Sequence, residues 1–312
     1  MRLRYAVLVA SISGVALCAS AQPEAPPFVD SELDQDAILT ALVNRYPRSF
    51  RPVGTSSVTM RVDFGNIDAA FKPRTDSHPR GYLSEIAAYR IARFLGMDNV
   101  PPVITRRVPR VLFQAQFQSP HPEDWEPVRE EIRWDVSGVT PGATIYWIPA
   151  MRSSELATDA GVDAVEGWLQ LDWEIPEGSQ TVARDLSTLF AFDYLIGNWD
   201  RLSGGNVSAN REGDRLFVRD HNVAFGTLTG PRYERVRGNL ERVQRFSREF
   251  VRRIEAMDEA ALSAALAEDP ESEVRPILTP EEMEGVLDRR RALLSYVGAL
   301  VSLHGPGRVF VW

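Results

Sequence analysis

Apolar residues recur along this chain with two different periods, and the change from one to the other divides it. After a Pro-rich, small-residue stretch at 22–32 that reads as a linker, Leu33, Ile38, Leu39, Leu42 and Val43 fall at helical spacing and predict a first helix over 31–43. From Arg51 the period shortens. Residues 57–64 alternate apolar and polar, Gly65-Asn66 supplies a turn, and 67–71 follows as a second strand, a hairpin that delivers Lys72 at its end. Leu83, Ile86, Ala87, Ile91, Phe94 and Leu95 then predict an amphipathic helix over 83–95, with Gly96 suited to a left-handed C-cap. Further strands are predicted over 103–113 and 144–150. The intervening 114–140, with Pro120, Pro122, Trp125 and Pro127, reads as an insertion or long loop.

Beyond about residue 153 helical spacing takes over. The segment 182–197 is apolar almost all round (Leu186, Leu189, Phe190, Phe192, Leu195, Ile196), which marks a buried central helix. A loop over 198–208 follows, then a strand over 215–219 that ends at Asp220. Helices are predicted over 239–257, 258–268 and 279–303, the last opened by Thr279-Pro280-Glu281-Glu282. No internal repeat is visible. The pattern predicts an α+β protein with 51–152 as a strand-rich lobe and 153–312 as a mainly helical one, preceded by a linker and first helix over 22–50.

Composition narrows the setting. Arg2 and Arg4, an apolar run over 5–19 and Ala19-Ser20-Ala21 have the form of a signal peptide over 1–21, so an exported protein, periplasmic or extracellular, is expected. The run is too short to be read as a membrane span, and none is expected after cleavage. Cys18, the only cysteine, has Leu17 where a lipoprotein box needs a small residue, so no lipid anchor is expected there. Its removal leaves no disulfide and no thiolate nucleophile. The four histidines lack paired zinc-ligand spacing. With 44% hydrophobic and 25% charged residues the chain is globular, and a net charge of −8 argues against nucleic acid as a partner. The Arg-rich stretch over 235–253 is interleaved with Glu241 and Glu249 and reads as a solvated helix face.

The basic residues carry more information. Lysines and arginines number 35, and Lys72 is the single lysine among them. Ammonium and guanidinium are not interchangeable where a pocket fits one of them, so the position that kept lysine is a candidate functional site. A strand lysine, a glutamate 13 residues on in the following helix, and acidic residues downstream are the order of parts in a protein kinase. Phosphoryl transfer needs a cation on the phosphates, metal ions on hard oxygens and a group to orient the attacking hydroxyl. Lys72 and Glu85 supply the first. Asp200, in Gly197-Asn198-Trp199-Asp200-Arg201, is the candidate base, and Asn206 and Asp220 are candidate ligands for Mg2+ or Mn2+. Gly54-Thr55-Ser56 could bring backbone amides to the phosphates. Asp193 reads as a buried hydrogen-bond acceptor, Asp214 as part of a turn, and the Asn206-Val207-Ser208 sequon as coincidental.

Three stretches resemble a known family: the helix Ser84 to Leu95 with Val100-Pro101-Pro102-Val103 after it, Phe192-Asp193-Tyr194-Leu195-Ile196-Gly197-Asn198-Trp199-Asp200-Arg201, and Asp220-His221-Asn222-Val223-Ala224-Phe225-Gly226. In register over about 52–226, they are similar to the secretory-pathway kinases that include the Golgi casein kinase and four-jointed proteins, and distantly to HipA-type kinases. The resemblance implies a two-lobed protein-kinase-like fold, with ATP and Mg2+ or Mn2+ as cofactors and a protein or glycan hydroxyl as acceptor. It implies phosphate contact for Lys72, a lysine or metal partner in Glu85, a catalytic aspartate in Asp200 and a metal ligand in Asp220. His221 replaces the family's usual asparagine, Trp199 is bulky beside Asp200, and the family's disulfides are absent. A nucleotide-binding pseudokinase that acts as scaffold or activator therefore stands as the alternative to an active kinase, and AMP transfer by the same fold as a third.

Overall fold

The computed structural model describes residues 28–29, 31–53, 58–118 and 122–312. The expected signal peptide with Cys18, and the Gly54-Thr55-Ser56 turn, lie outside the described residues. Helix α1 (Gln35–Asn44) starts where Asp34 accepts a hydrogen bond from the Ala37 N–H, and it buries Ile38, Leu39 and Leu42. Strands β1 (Ser49–Pro52), β2 (Met60–Asp63) and β3 (Asp68–Pro73) follow as an antiparallel meander. The β2–β3 hairpin closes where the alternation put it, with Asp63 opposite Asp68 and Gly65 at a φ of 100° in the turn. The period of two puts Ala69, Phe71 and Pro73 in the core, so Lys72 falls on the opposite face of the strand.

Helix α2 (Gly81–Phe94) is buried from Gly81 to Ala92 and ends before Gly96, whose φ of 75° is the left-handed conformation expected there. Strand β4 (Val103–Pro109) is shorter than the 103–113 expected from sequence. Beyond it the chain turns helical, in α3 (Arg110–Phe113), a π-helical turn (Gln114–Gln118) and α4 (Pro122–Glu131). The reason is aromatic: Phe113 and Phe117 lie four residues apart and turn together onto the sheet, Phe113 stacking on Phe50 with centroids 4.8 Å apart and Phe117 meeting Trp125 at 6.0 Å. The segment expected as a loop over 114–140 is thus largely helical and packed.

Strand β5 (Val139–Tyr146) begins five residues before the expected 144, because Pro141 and Gly142 already pair with Arg107 and Arg106 of β4. Gly142 is required by a close approach. A Cβ there would lie 2.5 Å from the Phe71 ring and 2.6 Å from the Lys72 carbonyl oxygen. The sheet order is β1-β2-β3-β5-β4, all antiparallel, with Lys72 opposite Ala143 near its centre.

The second half is helical around a small sheet. Strand β6 (Arg152–Ser153) and helix α5 (Asp159–Asp163) lead to α6 (Gln180–Ile196), the buried central helix, which is capped by Gly197 at a φ of 72°. Strands β7 (Val207–Ala209) and β8 (Leu216–Val218) complete a β6-β7-β8 sheet. Strand β7 lies partly inside the expected 198–208 loop, being too short to show alternation. The helix expected over 239–257 is two helices, α7 (Pro231–Glu241) and α8 (Arg248–Ala256). Between them Val243 and Phe246 turn into the core, the Phe246 N–H donates to the Val309 carbonyl, and Ser247 starts α8 afresh as its N-cap.

Helices α9 (Glu259–Ala267), α10 (Pro280–His304) and α11 (Pro306–Val309) finish the chain, α10 opening on a complete Thr279/Glu282 capping box. Helix α2 ties the halves together: Ser84 Oγ donates to the Ala224 carbonyl, Tyr82 to Glu271, and Arg80 to Glu282. Among the described residues no helix is long and apolar enough to cross a membrane.

Candidate active site

The strand, the helix and the segment after β8 meet at Lys72. Its Nζ donates to Glu85 Oε1 at 2.6 Å and to Asp220 Oδ1 at 2.8 Å, so one ammonium joins the sheet, α2 and the helical half. Burial by itself would lower the pKa of this lysine, but the charges of Glu85 and Asp220 together outweigh it and hold the ammonium above its usual value. Burial likewise pulls Glu85 upward, and Lys72 first and then His221 overcome it, leaving the carboxyl well below the usual carboxylate range.

Glu85 has a second neighbour, since His221 Nδ1 lies 3.3 Å from its Oε2. A carboxylate only accepts, so the imidazole donates through Nδ1. The other ring nitrogen, Nε2, is buried with no hydrogen-bond partner. The Asp220 side chain is 33% exposed against 2% for Glu85, so the aspartate faces the cleft while the glutamate lies behind the lysine. Asp220 holds a φ of 63°, and Phe225 one of 67°, left-handed values that few residues other than glycine adopt. Strain of this kind persists only where surrounding contacts impose it.

Those contacts run through Arg201. Gly197 ends α6, and the chain turns through Asn198, Trp199 and Asp200 to bury Arg201 almost completely. The Arg201 fork donates to both oxygens of Asp193 at 2.8 Å each, and its remaining nitrogen donates to the carbonyls of Asn206, at 2.8 Å, and of Arg219. Asp193 is thus the buried acceptor the sequence suggested. Asn198 donates to the Asp220 carbonyl at 3.2 Å, so the Asp200 loop and the Asp220 segment are tied at two points. Asp200 is fixed through its backbone: its N–H donates to Asn198 Oδ1, and its carbonyl accepts from Ser203 Oγ and Asn206 Nδ2, both at 2.9 Å. Its neighbour Trp199 lies under the Arg232 guanidinium at 4.5 Å.

The structure therefore brings Lys72, Glu85 and Asp220 into direct contact and places Asp200 and Asn206 in one loop bound to the Asp220 segment. His221 and Arg201 were quoted in the sequence motifs without a role. A signal for Arg201 was present in the Asp193 to Arg201 spacing, which puts an acid one turn inside a buried helix and a base just beyond its end.

Among the described residues no group of three or more His, Cys, Asp or Glu is arranged to hold a metal ion. The donors at hand are the Asp220 carboxylate, the Asn206 amide oxygen, which the Asn206 Nδ2 bonds do not use, and Glu85, whose carboxylate has about four lone-pair sites. That is a hard-oxygen set of the size Mg2+ takes from proteins when substrate phosphates complete its shell. The donor chemistry fits such a cation.

No protein-family model matches this sequence, and no curated protein matches it. Solved structures do. The Golgi casein kinase, solved with Mn and ADP bound, superposes with a TM-score of 0.66 at 18% identity, over 89% of this chain and 78% of that one. Hydra Fam20 with sugar gives 0.62 at 17% identity, over 91% and 93%. The fold is that of the Golgi casein kinase. The two-lobed α+β kinase-like architecture expected from the sequence, with an antiparallel sheet in the first lobe and helices in the second, is the one this chain shares with the Golgi casein kinase and hydra Fam20.

Proposed function

We propose that this protein is an exported ATP-dependent phosphotransferase acting on a protein Ser/Thr or sugar hydroxyl. The observation that carries the reading is Lys72 held between Glu85 and Asp220, a charged lysine oriented at a cleft-facing carboxylate on a kinase-like fold. The Golgi casein kinase structure, with Mn and ADP bound, supports a nucleotide and a divalent cation here.

In this reading Lys72 contacts the nucleotide phosphates, and Asp220 with Asn206 and Glu85 holds Mg2+ or Mn2+. A bound cation supplies neutralisation of the charge on the phosphates. Asp200 orients the acceptor hydroxyl and accepts its proton as the oxygen bonds to the γ-phosphorus and the bond to the β-phosphate oxygen breaks, releasing ADP. Such a base typically contributes about 10²–10⁴ in rate. The left-handed Asp220 and the Arg201 ties fix the backbone that carries the two aspartates before substrate arrives, which is where positional catalysis comes from.

The test is transfer of label from α- and γ-labelled ATP by the full chain with Mn2+ or Mg2+, against Asp200→Ala and Lys72→Arg. Transfer of γ label by wild type alone supports the reading; transfer of α label identifies AMP transfer instead. Nucleotide binding with no transfer favours the pseudokinase, whose supporting observation is Trp199 stacked beneath Arg232 beside Asp200. No nucleotide-dependent thermal shift sinks both.

A further inference from the structure

Arg289 of α10 reaches under the end of α6, where its Nε donates to the Leu195 carbonyl at 2.9 Å. That bond places a cation at the negative end of a helix, and accounts for one of its nitrogens. Nη2 is buried and has no hydrogen-bond partner. Among the described residues no carboxylate forms an ion pair with Arg289. An arginine in this position normally finds an anion, since a buried guanidinium without one keeps its desolvation cost uncompensated. Burial pushes its pKa down to about 10.

The surroundings are open to a ligand. Arg289 lines a cavity of about 470 Å3 with Phe225, Leu228, Tyr233, Thr279 and Gly285. Two glycines leave room for the guanidinium: a Cβ on Gly285 would lie 3.2 Å from Nη1, and one on Gly197 would lie 3.3 Å from Cζ. Glycine is a poor residue inside a helix, so its place at 285 favours the space over the helix. The acids on the rim make no ion pair with Arg289, although the Asp288 charge acts on it from a distance. Glu282 is held by Arg80 and Asp288 by Arg291, while Glu281 faces solvent.

We propose that this cavity is a binding site for a small carboxylate, its carboxylate paired with the Arg289 guanidinium and its apolar remainder against Leu228 and Phe225. With Nε on Leu195 and Nη2 out of solvent reach, Nη1 beside Gly285 is the nitrogen that meets the carboxylate. The acidic rim disfavours multiply charged anions such as phosphate. The site lies on the segment that follows Asp220, yet the proposal concerns binding alone and does not depend on phosphotransfer.

The test is thermal unfolding of the full chain in sodium benzoate against sodium chloride at equal ionic strength, for wild type, Arg289→Gln, Gly285→Leu and Lys72→Ala. Gly285→Leu plugs the cavity and leaves the arginine, so a folding failure of one variant still leaves a reading. Benzoate is expected to raise the midpoint by about 2 °C in wild type and in Lys72→Ala, and to do nothing in the two cavity variants. An equal rise in chloride, or one that persists in both cavity variants, overturns the proposal. A larger Arg289-dependent rise with inorganic phosphate overturns the assignment of ligand class.

Discussion

His221 donates to the one oxygen of Glu85 that Lys72 leaves unused. The glutamate is therefore held on both sides, and the lysine's position depends on a residue more than a hundred positions away in the chain. Replacing His221 with Ala leaves Glu85 Oε2 buried without a donor, an omission that costs about 1–3 kcal/mol. The expected result is a lower denaturation midpoint together with weaker nucleotide binding, and His221→Asn, which retains a donor, is expected to recover part of both. Urea unfolding and calorimetric titration with ADP and Mn2+ measure the two.

Lys72→Arg is expected to fold normally and to lose at least about tenfold in nucleotide affinity. Glu85 at 2.6 Å and Asp220 at 2.8 Å close on a compact ammonium, and a planar guanidinium cannot take that position without displacing one of them. Titration with ADP checks it, with circular dichroism as the control for folding.

The pH dependence of stability has a defined sign. Glu85 is held below its ordinary value of 4.5 in the folded protein, so the unfolded chain binds its proton first as pH falls. Its contribution is present above about pH 4.5 and is lost as pH drops toward the depressed folded value. Glu85→Gln lacks this contribution. Unfolding free energies measured between pH 6 and pH 3 are therefore expected to fall more steeply for wild type than for Glu85→Gln.

Arg201→Met removes one partner of a buried pair and strands the Asp193 carboxylate, a change that costs about 3–5 kcal/mol. The double variant Arg201→Met with Asp193→Leu is expected to regain much of that stability in urea unfolding. Transfer activity is expected to stay low in both, because the carbonyls of Asn206 and Arg219 have still lost their donor and one of the two ties between the loops is gone.

Much of this was legible in the chain. The β2–β3 hairpin showed as alternation, α2 as apolar spacing closed by Gly96, α6 as a segment apolar almost all round, and Lys72 as the single lysine. What was not legible depended on contacts between distant segments. The strand expected over 144–150 omits Pro141 and Gly142 because nothing local says that Phe71 and Lys72 come within van der Waals distance of residue 142. The break between α7 and α8 is made by Phe246 reaching Val309, and the pairing of His221 with Glu85 needed two elements from opposite halves of the chain.

The bridging lysine also couples the partners that the site would take. Lys72 already answers two carboxylates, and a nucleotide phosphate brings further negative charge to the same point. Were Asp220 to hold a divalent cation, the Lys72 ammonium would lose one of its two carboxylate partners and be free to meet that phosphate. Metal and nucleotide should accordingly bind as a cooperative pair, each tightening the other by the same factor.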